Sequence, residues 1–529
     1  MKTKKLSRAL ALVLCAVILA AVAAGCKTEG DEQASDDYPS YEDYPPLASV
    51  GHEETVSFTM LTWANRQIWP TRANNRMLDG IKQKFNVELD VKVVDTNYID
   101  RLGVLAVNGE LPDAWVSTLP WQTEVTKWVK ADLMLCLDPY LDMLPNYFEV
   151  RSDISVFWDP LRVDGKLYCL PAVDNPNDCG PMIRKDWLDN LGLDIPKTPE
   201  ELAAVLKAFT FDDPDGNGVD DTYGGSIFSG GLQYTIAGVV MSAYDAWFDM
   251  WYIVDGQPVY GFTRPEFLDA LKFLRRLIFD DKSVSLRHIE IVDGSQIQSQ
   301  NMAGNIGCMN FAYQFMTGAN PMYQQFQKNT DDKGVLVPFE PLTVNGKQGT
   351  IKANEPIPFN RLCLNSEIKN PERLLEVMDW IMSEEGAAWV QYGFEGYHYD
   401  KGEDGAIKFK GPYTDGVNIY KEGFDEQFML FGMRDLWGKH LDKPALDGAA
   451  ILRKFMTYYP VYNVELTGLV DYHAAVNTKQ TTFLMDAISL QNFDIDAEFE
   501  NAVSAMYSVG LDRLTEEARG VAISKGLIK

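Results

Sequence analysis

Two strand–helix units in succession constrain the fold of this chain more than any other feature. The stretch Thr55–Trp63 is β-branched and aromatic, which predicts a strand, and the next segment spaces Met77, Leu78 and Ile81 as the apolar face of a helix. VELDVKVV then alternates as a strand, YIDRLGVLAVNG returns to a helical pattern, and GELPDAWVS gives a turn and a short strand. Strands that alternate with helices over short connections predict a parallel, doubly wound α/β sheet.

The length of the chain predicts more than one lobe. Of the 529 residues, roughly 475 remain after the amino-terminal segments described below, more than a single hydrophobic core normally serves. Helix starts are explicit further along, where Thr198 offers an N-cap hydroxyl ahead of Pro199 and Glu201. Further helical patterns begin at Pro265 and Pro371, and the carboxyl-terminal part is mostly helical in pattern.

The first 25 residues have the pattern of a secretion signal. Basic residues precede an apolar stretch from Leu10 to Ala24 that is short for a membrane span and ends in small residues. The ending AAGC resembles a bacterial lipobox, although Ala23 stands where the lipobox usually has Leu. We expect residues 1–25 to be a lipoprotein signal peptide and Cys26 to carry the lipid. The protein would then be lipid-anchored on the extracellular face of the cell membrane.

Two further segments bear on the relation to the membrane. Residues 26–54 begin with the lipidated Cys and are acidic, rich in Tyr and Pro and poor in aliphatic side chains, so we expect a flexible tether. The longest uncharged run, Thr222–Tyr244, carries five Gly and several polar side chains. Those groups favour a buried strand or a ligand-facing wall over a membrane span.

Charge and cysteine usage exclude some classes of protein. A formal net charge of −28 argues against a nucleic-acid partner, which requires a basic face. The cysteines beyond Cys15 and Cys26 are Cys136, Cys169, Cys179, Cys308 and Cys363. An odd, scattered set without CxxC predicts neither a zinc site nor a disulfide framework, and buried free thiols are favoured. The sequence leaves open whether Cys169 and Cys179 are bridged.

The segment DDPDGNGVDDTYG has the spacing of a calcium loop. Its candidate ligands at alternate positions are Asp213, Asp215, Asn217, the Val219 carbonyl and Asp221. Gly218 stands where the loop turns sharply, but Gly224 replaces the bidentate Glu that closes a regulatory loop, and no paired second loop is present. We therefore predict a structural Ca²⁺ site, with a solvated acidic turn as the alternative.

Motifs for catalysis are absent from the sequence. It contains no HExxH, GxSxG, phosphate-loop or GxGxxG pattern, and its five His are scattered. Among 76 acidic residues some carboxylate pair always resembles a glycosidase couple, which carries no weight without geometry. We predict no catalytic residue and a protein that is not an enzyme.

Aromatic side chains are more informative. The chain has 12 Trp, and several stand where a predicted strand ends or a turn begins: Trp63, Trp69, Trp115 and Trp121. A second group is Tyr244, Trp247 and Trp251. Flat aromatic walls with a few hydrogen-bonding groups hold sugar rings well, while ordinary core packing is the alternative for each one.

Several segments spread over the chain carry a resemblance to a known family. They are GELPDAW, LCLDPYLD, DGKLYCLP, IRKDWLDNLGLDIPKTPEEL, DPDGNGVDDTYG, NMAGNIGCM, KNPERLLEVMDWIMSEEG and YGFEGYHYD. Together they resemble the family 1 extracellular solute-binding proteins, in the long lipoprotein branch that serves bacterial carbohydrate ABC transporters. The resemblance implies a two-lobed type II periplasmic-binding-protein fold with a hinge between the lobes.

The resemblance also implies where the chain passes between lobes. Crossings are expected near 172–181, 352–362 and 400–410, which gives lobe 1 as 55–175 and 360–405 and lobe 2 as 176–359 and 406–529. Some relatives carry a matching calcium loop in the second lobe, often with an acidic residue after position 9. Here Thr222 stands at that position, so the sixth ligand is left open.

Strand ends and crossing segments supply the candidate ligand-binding residues. They are Trp63, Asn65, Trp115, Tyr244, Trp247, Asn310, Arg361, Glu395 and Tyr397. The function expected from the resemblance is a monomeric, membrane-anchored protein that captures an oligosaccharide and delivers it to ABC permease subunits. The alternatives are an extracellular polysaccharide-processing enzyme and a binding protein of the same fold for a peptide or other small ligand.

Overall fold

The structure is a computed structural model, and it describes most of the chain. The described residues are 44–63, 75–94, 97–118, 125–150, 152, 158–171, 179–292, 294–313, 321–353, 360–402, 407–414, 416–424, 443–461, 463, 466 and 469–529. The expected signal peptide, Cys26 and Asn65, together with Trp69 and Trp121, lie outside these residues.

Strands and helices alternate along the described chain. The strands are β1 (Val56–Trp63), β2 (Val87–Val94), β3 (Ala114–Ser117), β4 (Arg162–Val163), β5 (Lys166–Leu167), β6 (Cys169–Pro171), β7 (Cys179–Arg184), β8 (Gly225–Ser226), β9 (Trp251–Val254), β10 (Gln257–Tyr260), β11 (Val284–Ser285), β12 (Cys308–Ala312), β13 (Leu336–Pro338), β14 (Thr343–Val344), β15 (Lys347–Gln348), β16 (Ile351–Lys352), β17 (Arg361–Leu364), β18 (Tyr399–Lys401), β19 (Ile407–Phe409) and β20 (Met456–Thr457). The helices are α1 (Arg76–Phe85), α2 (Tyr98–Asn108), α3 (Thr126–Lys130), α4 (Pro145–Val150), α5 (Lys185–Leu191), α6 (Pro199–Phe211), α7 (Ile236–Tyr244), α8 (Pro265–Arg275), α9 (Gly294–Asn301), α10 (Pro321–Asn329), α11 (Pro371–Met382), α12 (Glu384–Tyr392), α13 (Gly416–Lys421), α14 (Lys443–Phe455), α15 (Leu469–Ser489), α16 (Ile495–Met506) and α17 (Asp512–Ser524).

Lobe 1 is built on a five-stranded sheet in the order β2-β1-β3-β17-β6. β1 pairs in parallel with β2 and β3, which confirms the parallel sheet predicted from the strand–helix alternation. Met77, Leu78 and Ile81 of α1 are buried, as their helical spacing predicts. β17 enters from the other lobe and runs antiparallel between β3 and β6.

Lobe 2 has a smaller sheet and more helix. β7 lies between β12 and β13 and is antiparallel to both. Helix α6 starts as predicted, with the Thr198 hydroxyl accepting a hydrogen bond from the Glu201 amide at 3.3 Å and Pro199 in the first turn. Helices from the carboxyl-terminal part, α15 to α17, complete this lobe, and their apolar faces join a core that contains Phe262 and Phe267.

The two lobes have separate hydrophobic cores. Buried residues up to Leu170 and from Leu362 to Phe424 form the core of lobe 1. Buried residues from Met182 to Ile351 and from Ala449 onwards form the two core clusters of lobe 2. Ile407, Tyr413 and Phe424 pack into the core of lobe 1. The described residues 407–414 and 416–424 therefore lie with lobe 1, whereas the sequence analysis expected them in lobe 2.

The expected flexible tether is wrong for its last part. Tyr44 is buried, its ring stacks on Phe394 with centroids 5.0 Å apart, and its hydroxyl donates a hydrogen bond to the carboxylate of Glu422. The Val50 amide donates to the Lys84 carbonyl at 2.9 Å, so the chain continues along α1. Residues 44–54 therefore pack on lobe 1, because aromatic stacking and buried hydrogen bonds offset the cost of ordering them.

No disulfide bond joins the described cysteines. Cys169 lies in the lobe 1 sheet opposite Cys363, whereas Cys179 lies in the lobe 2 sheet. Cys169 and Cys179 are therefore unbridged, which answers the question that the sequence left open. No helix in the described part of the chain is long and apolar enough to cross a bilayer.

Candidate functional site

The segments that connect the two lobes lie close together where they leave lobe 1 and again where they join lobe 2. In lobe 1, Pro171 at the end of β6 lies opposite Arg361 at the start of β17, so two crossings leave this sheet side by side. In lobe 2, β16 pairs in parallel with β20, and a Cβ at Gly180 would lie 3.1 Å from Leu452 and 3.7 Å from Ile351. This convergence is the arrangement that a hinge between two lobes requires.

A pocket of about 160 Å³ lies in lobe 2 next to these crossing ends. Its polar and aromatic lining consists of Cys179, Gln233, Tyr234, Trp247, Phe248, Asp249, Asn310 and Lys352. The rest of the lining is apolar and comes mainly from α7, α8 and α15. Because Cys179 and Lys352 stand at the lobe 2 ends of two crossings, the pocket adjoins the hinge.

Trp247 reaches the pocket through the end of helix α7. Thr235 caps the start of the helix by accepting a hydrogen bond from the Ala237 amide at 3.1 Å, and the helix ends at Asp245 in a left-handed conformation. The chain then turns and presents Trp247, which is 4% exposed and lines the pocket. Its indole N–H is buried and has no hydrogen-bond acceptor among the described residues. Four other buried indoles of the described residues share this condition, so the N–H alone does not mark a ligand contact.

A charged pair stands beside this indole. The Lys352 ammonium lies 2.6 Å from the Asp249 carboxylate and 5.9 Å from the centroid of the Trp247 ring. Both side chains remain partly exposed to the pocket. An ammonium that donates, a carboxylate that accepts and an aromatic face are together suited to bind a polyhydroxylated ring.

Asn310 joins the pocket wall from strand β12. Its side-chain amide nitrogen donates to the Gln233 carbonyl at 2.6 Å, and its main-chain amide donates to the Thr235 carbonyl at 3.2 Å. These two bonds hold the start of α7 against the lobe 2 sheet. Trp247 and Asn310 are thus the two predicted binding residues that the structure brings into one pocket.

Lobe 1 presents a second indole near its crossings. Trp63 is the last residue of β1, and its indole N–H donates to the Asn360 side chain at 3.0 Å. Arg361 follows at the start of β17 and lies opposite Ser117 and Pro171. Trp63 and Arg361 therefore stand together at the edge of the lobe 1 sheet from which the crossings leave.

The predicted site residue Trp115 lies in a core. Its side chain is fully buried in lobe 1 with its ring centroid 5.9 Å from that of Trp128. Trp251 is likewise a core residue, in lobe 2, and its indole donates to the Asn463 side chain at 2.9 Å. The burial of these two tryptophans fits the alternative of ordinary core packing.

Three other predicted site residues lie away from the pocket. Tyr244 packs its ring 6.0 Å from Phe273 on α8, and burial raises the pKa of its hydroxyl. Glu395 pairs with Lys401 at 2.8 Å across a surface turn of lobe 1. Tyr397 packs edge-on against Tyr44, with centroids 4.7 Å apart. Helical and turn geometry directs these side chains to other neighbours.

The uncharged run Thr222–Tyr244 is not a strand over most of its length. It contains the short strand β8 and then α7, whose residues Ala237, Gly238 and Met241 line the pocket. The expectation of a ligand-facing wall fits this face of the helix. The sequence analysis did not include Gln233, Tyr234, Asp249 and Lys352, which also line the pocket. The only sequence signal for this region was the uncharged run that contains Gln233 and Tyr234.

The calcium-type loop has its acidic side chains gathered around Asn217. Asp213 accepts a hydrogen bond from the Asn217 main-chain amide at 3.1 Å, and the Asn217 side-chain nitrogen lies 3.0 Å from Asp215 and 3.4 Å from Asp221. Partial burial, together with Asp213 and Asp221, raises the pKa of Asp215. Gly218 has φ +75°, the left-handed conformation that the sharp turn requires.

The oxygen atoms of these residues are suited to bind a hard cation, but the carboxylates alone do not form a complete site. No group of three or more His, Cys, Asp or Glu side chains close enough to hold a metal occurs in the described part of the chain. The loop would complete its set of oxygens with the Asn217 amide and the Val219 carbonyl. Like-charged carboxylates that raise the pKa of Asp215 are an arrangement that a bound cation relieves.

Comparison with known proteins defines the class. No protein-family model matches the chain. In sequence it is 27% identical over 407 residues to the polygalacturonan/rhamnogalacturonan-binding protein YtcQ of Bacillus subtilis (strain 168), covering 74% of each chain. It is 29% identical over 220 residues to lipoprotein LipO of the same organism, covering 41% of this chain and 42% of LipO.

In structure the chain is similar to the substrate-binding protein FusA of an S. pneumoniae ABC transporter in complex with kestose. The TM-score is 0.69 at 16% identity, and the match covers 89% of this chain and 99% of FusA. An EF-hand mutant of FusA in complex with fructo-nystose gives a TM-score of 0.68 at 16% identity, covering 89% of this chain and 99% of that one. The fold is therefore that of the two-lobed solute-binding proteins. By fold and sequence the chain is related to the solute-binding proteins of ABC transporters, which confirms the resemblance and the fold class expected from its sequence.

Proposed function

We propose that this protein captures an oligosaccharide outside the cell and delivers it to the permease subunits of an ABC transporter. The relation to YtcQ and FusA, which are named as binding proteins for carbohydrates, supports this function. On the same grounds the protein acts as a binding protein and not as an enzyme. It works as a monomer that is lipid-anchored to the cell membrane through Cys26.

The observation that carries the proposal is the lobe 2 pocket beside the crossing segments. Trp247, Asn310 and the Lys352–Asp249 pair line it together. A sugar ring in this pocket would place hydroxyl oxygens near the charged pair and its apolar face near the aromatic lining. Trp63 and Arg361 from lobe 1 would complete the binding site when the lobes close.

Calcium in the loop at 213–221 is the structural part of the proposal. Asp213, Asp215, Asn217, Val219 and Asp221 would supply its oxygens, and an EF-hand in the related FusA supports the assignment. The loop lies between α6 and β8, where it ties Pro214 to α5 through the Asn190 side chain at 2.9 Å. Calcium therefore stabilises lobe 2, and the pocket uses other residues.

The experiment is isothermal titration calorimetry on the protein without its first 26 residues, against kestose and short polygalacturonan fragments. We expect saturable binding of an oligosaccharide to the wild type and a roughly tenfold or greater loss of affinity in Trp247→Ala. Trp380→Phe is the matched control, since Trp380 packs against Phe85 in lobe 1, far from the pocket in the fold. Binding of peptides without any carbohydrate would overturn the sugar assignment in favour of the same-fold alternative.

The enzymatic alternative has its own test. A polysaccharide-processing enzyme would shorten a labelled oligosaccharide over hours of incubation, and chromatography of the products would reveal it. We expect the oligosaccharide to be recovered intact at its starting length. Turnover that survives purification of the protein to homogeneity would contradict the proposed function.

A further inference from the structure

We infer that Asp245 is a positioning residue that fixes the crossing strand β16 to the loop carrying Trp247. The inference rests on the proposed function, because it assigns to Asp245 the coupling of ligand contact in the lobe 2 pocket to the hinge. Asp245 itself does not line the pocket. Its main-chain carbonyl accepts hydrogen bonds from residues that hold the loop carrying Trp247. Its carboxylate accepts hydrogen bonds from residues next to β16 and β20.

The carbonyl of Asp245 closes the loop around Trp247. It accepts hydrogen bonds from the Arg264 guanidinium at 2.6 Å and from the Tyr252 hydroxyl at 3.0 Å. The same hydroxyl accepts a bond from the Trp247 main-chain amide at 3.0 Å. The Arg264 guanidinium also lies over the Tyr252 ring, 3.7 Å from its centroid. The backbone from Asp245 to Trp247 is thus fixed at two points. The Asp245 carbonyl accepts bonds at one end, and the Tyr252 hydroxyl accepts the bond from the Trp247 amide at the other.

The carboxylate of Asp245 reaches the crossing segments. One oxygen accepts hydrogen bonds from the Thr350 hydroxyl at 2.9 Å and from the Tyr459 hydroxyl at 3.2 Å. The other oxygen pairs with the Lys347 ammonium at 3.3 Å. Thr350 precedes β16 and Tyr459 follows β20, so the two strands of this parallel pair are tied to a single side chain.

The strand before the crossing lies directly on the end of helix α7. The Thr350 amide donates to the Ser242 carbonyl at 2.9 Å, and the Ser242 hydroxyl donates to the Thr350 carbonyl at 2.6 Å. A Cβ at Gly349 would lie 2.4 Å from the Ser242 carbonyl oxygen, so only glycine allows this approach. Two residues after Thr350, Lys352 reaches into the pocket and pairs with Asp249.

The pocket loop and the crossing strand therefore form one hydrogen-bonded unit. Asp245 adopts φ +49°, the left-handed conformation that ends helix α7 and that aspartate adopts readily. Burial is the main cause that raises the pKa of the Tyr252 and Tyr459 hydroxyls, which therefore stay protonated and able to donate. A ligand that shifts Trp247 or Lys352 would move the start of the crossing with it, which is a physical path for coupling.

The test separates positioning from stability. Thr350→Val removes the hydroxyl that donates to Asp245 and keeps the side-chain shape, Thr350→Ser restores the hydroxyl, and Asp245→Asn removes the charge. Thr343→Val is the matched control, because its hydroxyl bonds to Gln348 in the exposed hairpin. For each protein, calorimetry with kestose and short polygalacturonan fragments gives Kd, and small-angle X-ray scattering gives the decrease in radius of gyration on saturation.

We expect the wild type, Thr350→Ser and Thr343→Val to contract on saturation with the same Kd. Thr350→Val and Asp245→Asn should bind about tenfold more weakly and contract less at saturation. The inference would be overturned if Thr350→Val contracted as much as the wild type and bound with the same Kd. If Asp245→Asn fails to fold, Thr350→Val alone provides the test. Absence of carbohydrate binding by the wild type would refute the proposed function and this inference with it. Binding with unchanged closure in the variants would refute the inference alone.

Discussion

The ammonium group of Lys352 lies 2.6 Å from the carboxylate of Asp249 and stands over the ring of Trp247. Lys352 belongs to β16, the last strand of lobe 2 before the chain crosses to lobe 1. One side chain thus connects the pocket, its indole wall and the hinge. This relationship gives the first prediction.

Lys352→Met should weaken oligosaccharide binding by roughly 1.5–3 kcal/mol, because a charge-assisted hydrogen bond to the ligand is lost. Titration calorimetry of the variant and the wild type measures the difference. Lys82→Met is the matched control, since Lys82 forms a surface ion pair with Glu88 in lobe 1, and it should bind as the wild type does. Wild-type affinity in Lys352→Met would show that the ligand does not use this ammonium.

Calcium should raise the melting temperature of the wild type, and Asp215→Ala should lower it and abolish its dependence on calcium. A site of this kind contributes on the order of 1–3 kcal/mol when calcium is in excess. Scanning calorimetry with calcium and with a chelator measures both effects. Asp220→Ala, in the same loop but not among the proposed ligands, should retain the dependence, and a wild-type melt that ignores calcium would refute the metal site.

The calcium effect should also depend on pH. Burial and the neighbouring carboxylates raise the pKa of Asp215 above its usual 3.8, so protons compete with the metal for this side chain. Stabilisation by calcium should therefore be complete above the raised pKa and should decline as the pH falls through it. Melts with and without calcium at several pH values measure the decline, and a calcium effect that grows toward low pH would contradict the assignment of Asp215 as a ligand.

Tyr44→Ala should destabilise lobe 1 by about 3 kcal/mol, because it removes a buried ring from the stack on Phe394 and leaves Glu422 with the Tyr413 hydroxyl but not that of Tyr44. Tyr44→Phe should cost about 1–2 kcal/mol, since only the hydroxyl is lost. Chemical denaturation measures both. Tyr507→Ala, at an exposed position of lobe 2, is the control, and equal stability of Tyr44→Ala and wild type would restore the expectation of a flexible tether up to residue 54.

Asp379 should make the stability of lobe 1 dependent on pH. Its carboxylate accepts bonds from the Asn146 amide at 3.0 Å and the Tyr147 amide at 3.1 Å, but burial outweighs them and raises its pKa. Because the folded protein then binds this proton more tightly than the unfolded chain, the contribution of Asp379 to stability falls as the pH rises from about 4 through the raised pKa.

The measurement is the free energy of unfolding of the wild type minus that of Asp379→Asn, at a series of pH values from about 4 to 8. We expect this difference to decrease with rising pH and then to level off. Asp186→Asn offers a comparison, since Asp186 pairs with Arg184 at 2.6 Å in lobe 2. A difference between wild type and Asp379→Asn that rises with pH would mean that the amide donors dominate over burial.

Local patterns in the sequence predicted the local structure. The strand at β1, the apolar face of α1 and the Thr198 cap of α6 depend on side chains within a few residues of one another, and each is found. The two-lobed solute-binding fold and the relation to ABC transporter proteins also followed from motifs spread along the chain. The packing of residues 44–54 on lobe 1 could not be predicted in this way, because Tyr44 bonds to Glu422, which is 378 positions away in the sequence.

The sequence by itself determined which segments alternate as strands and helices, where helices begin, and which loop carries convergent oxygens, because neighbouring residues decide these features. Only the tertiary structure decided which aromatic side chains face a pocket. Trp115 and Trp247 have similar surroundings in sequence, yet Trp115 lies wholly within the lobe 1 core, whereas Trp247 packs in the lobe 2 core and also lines the pocket. The difference arises because burial depends on which layers and crossing segments pack against a residue, and those contacts join parts of the chain that no local pattern connects.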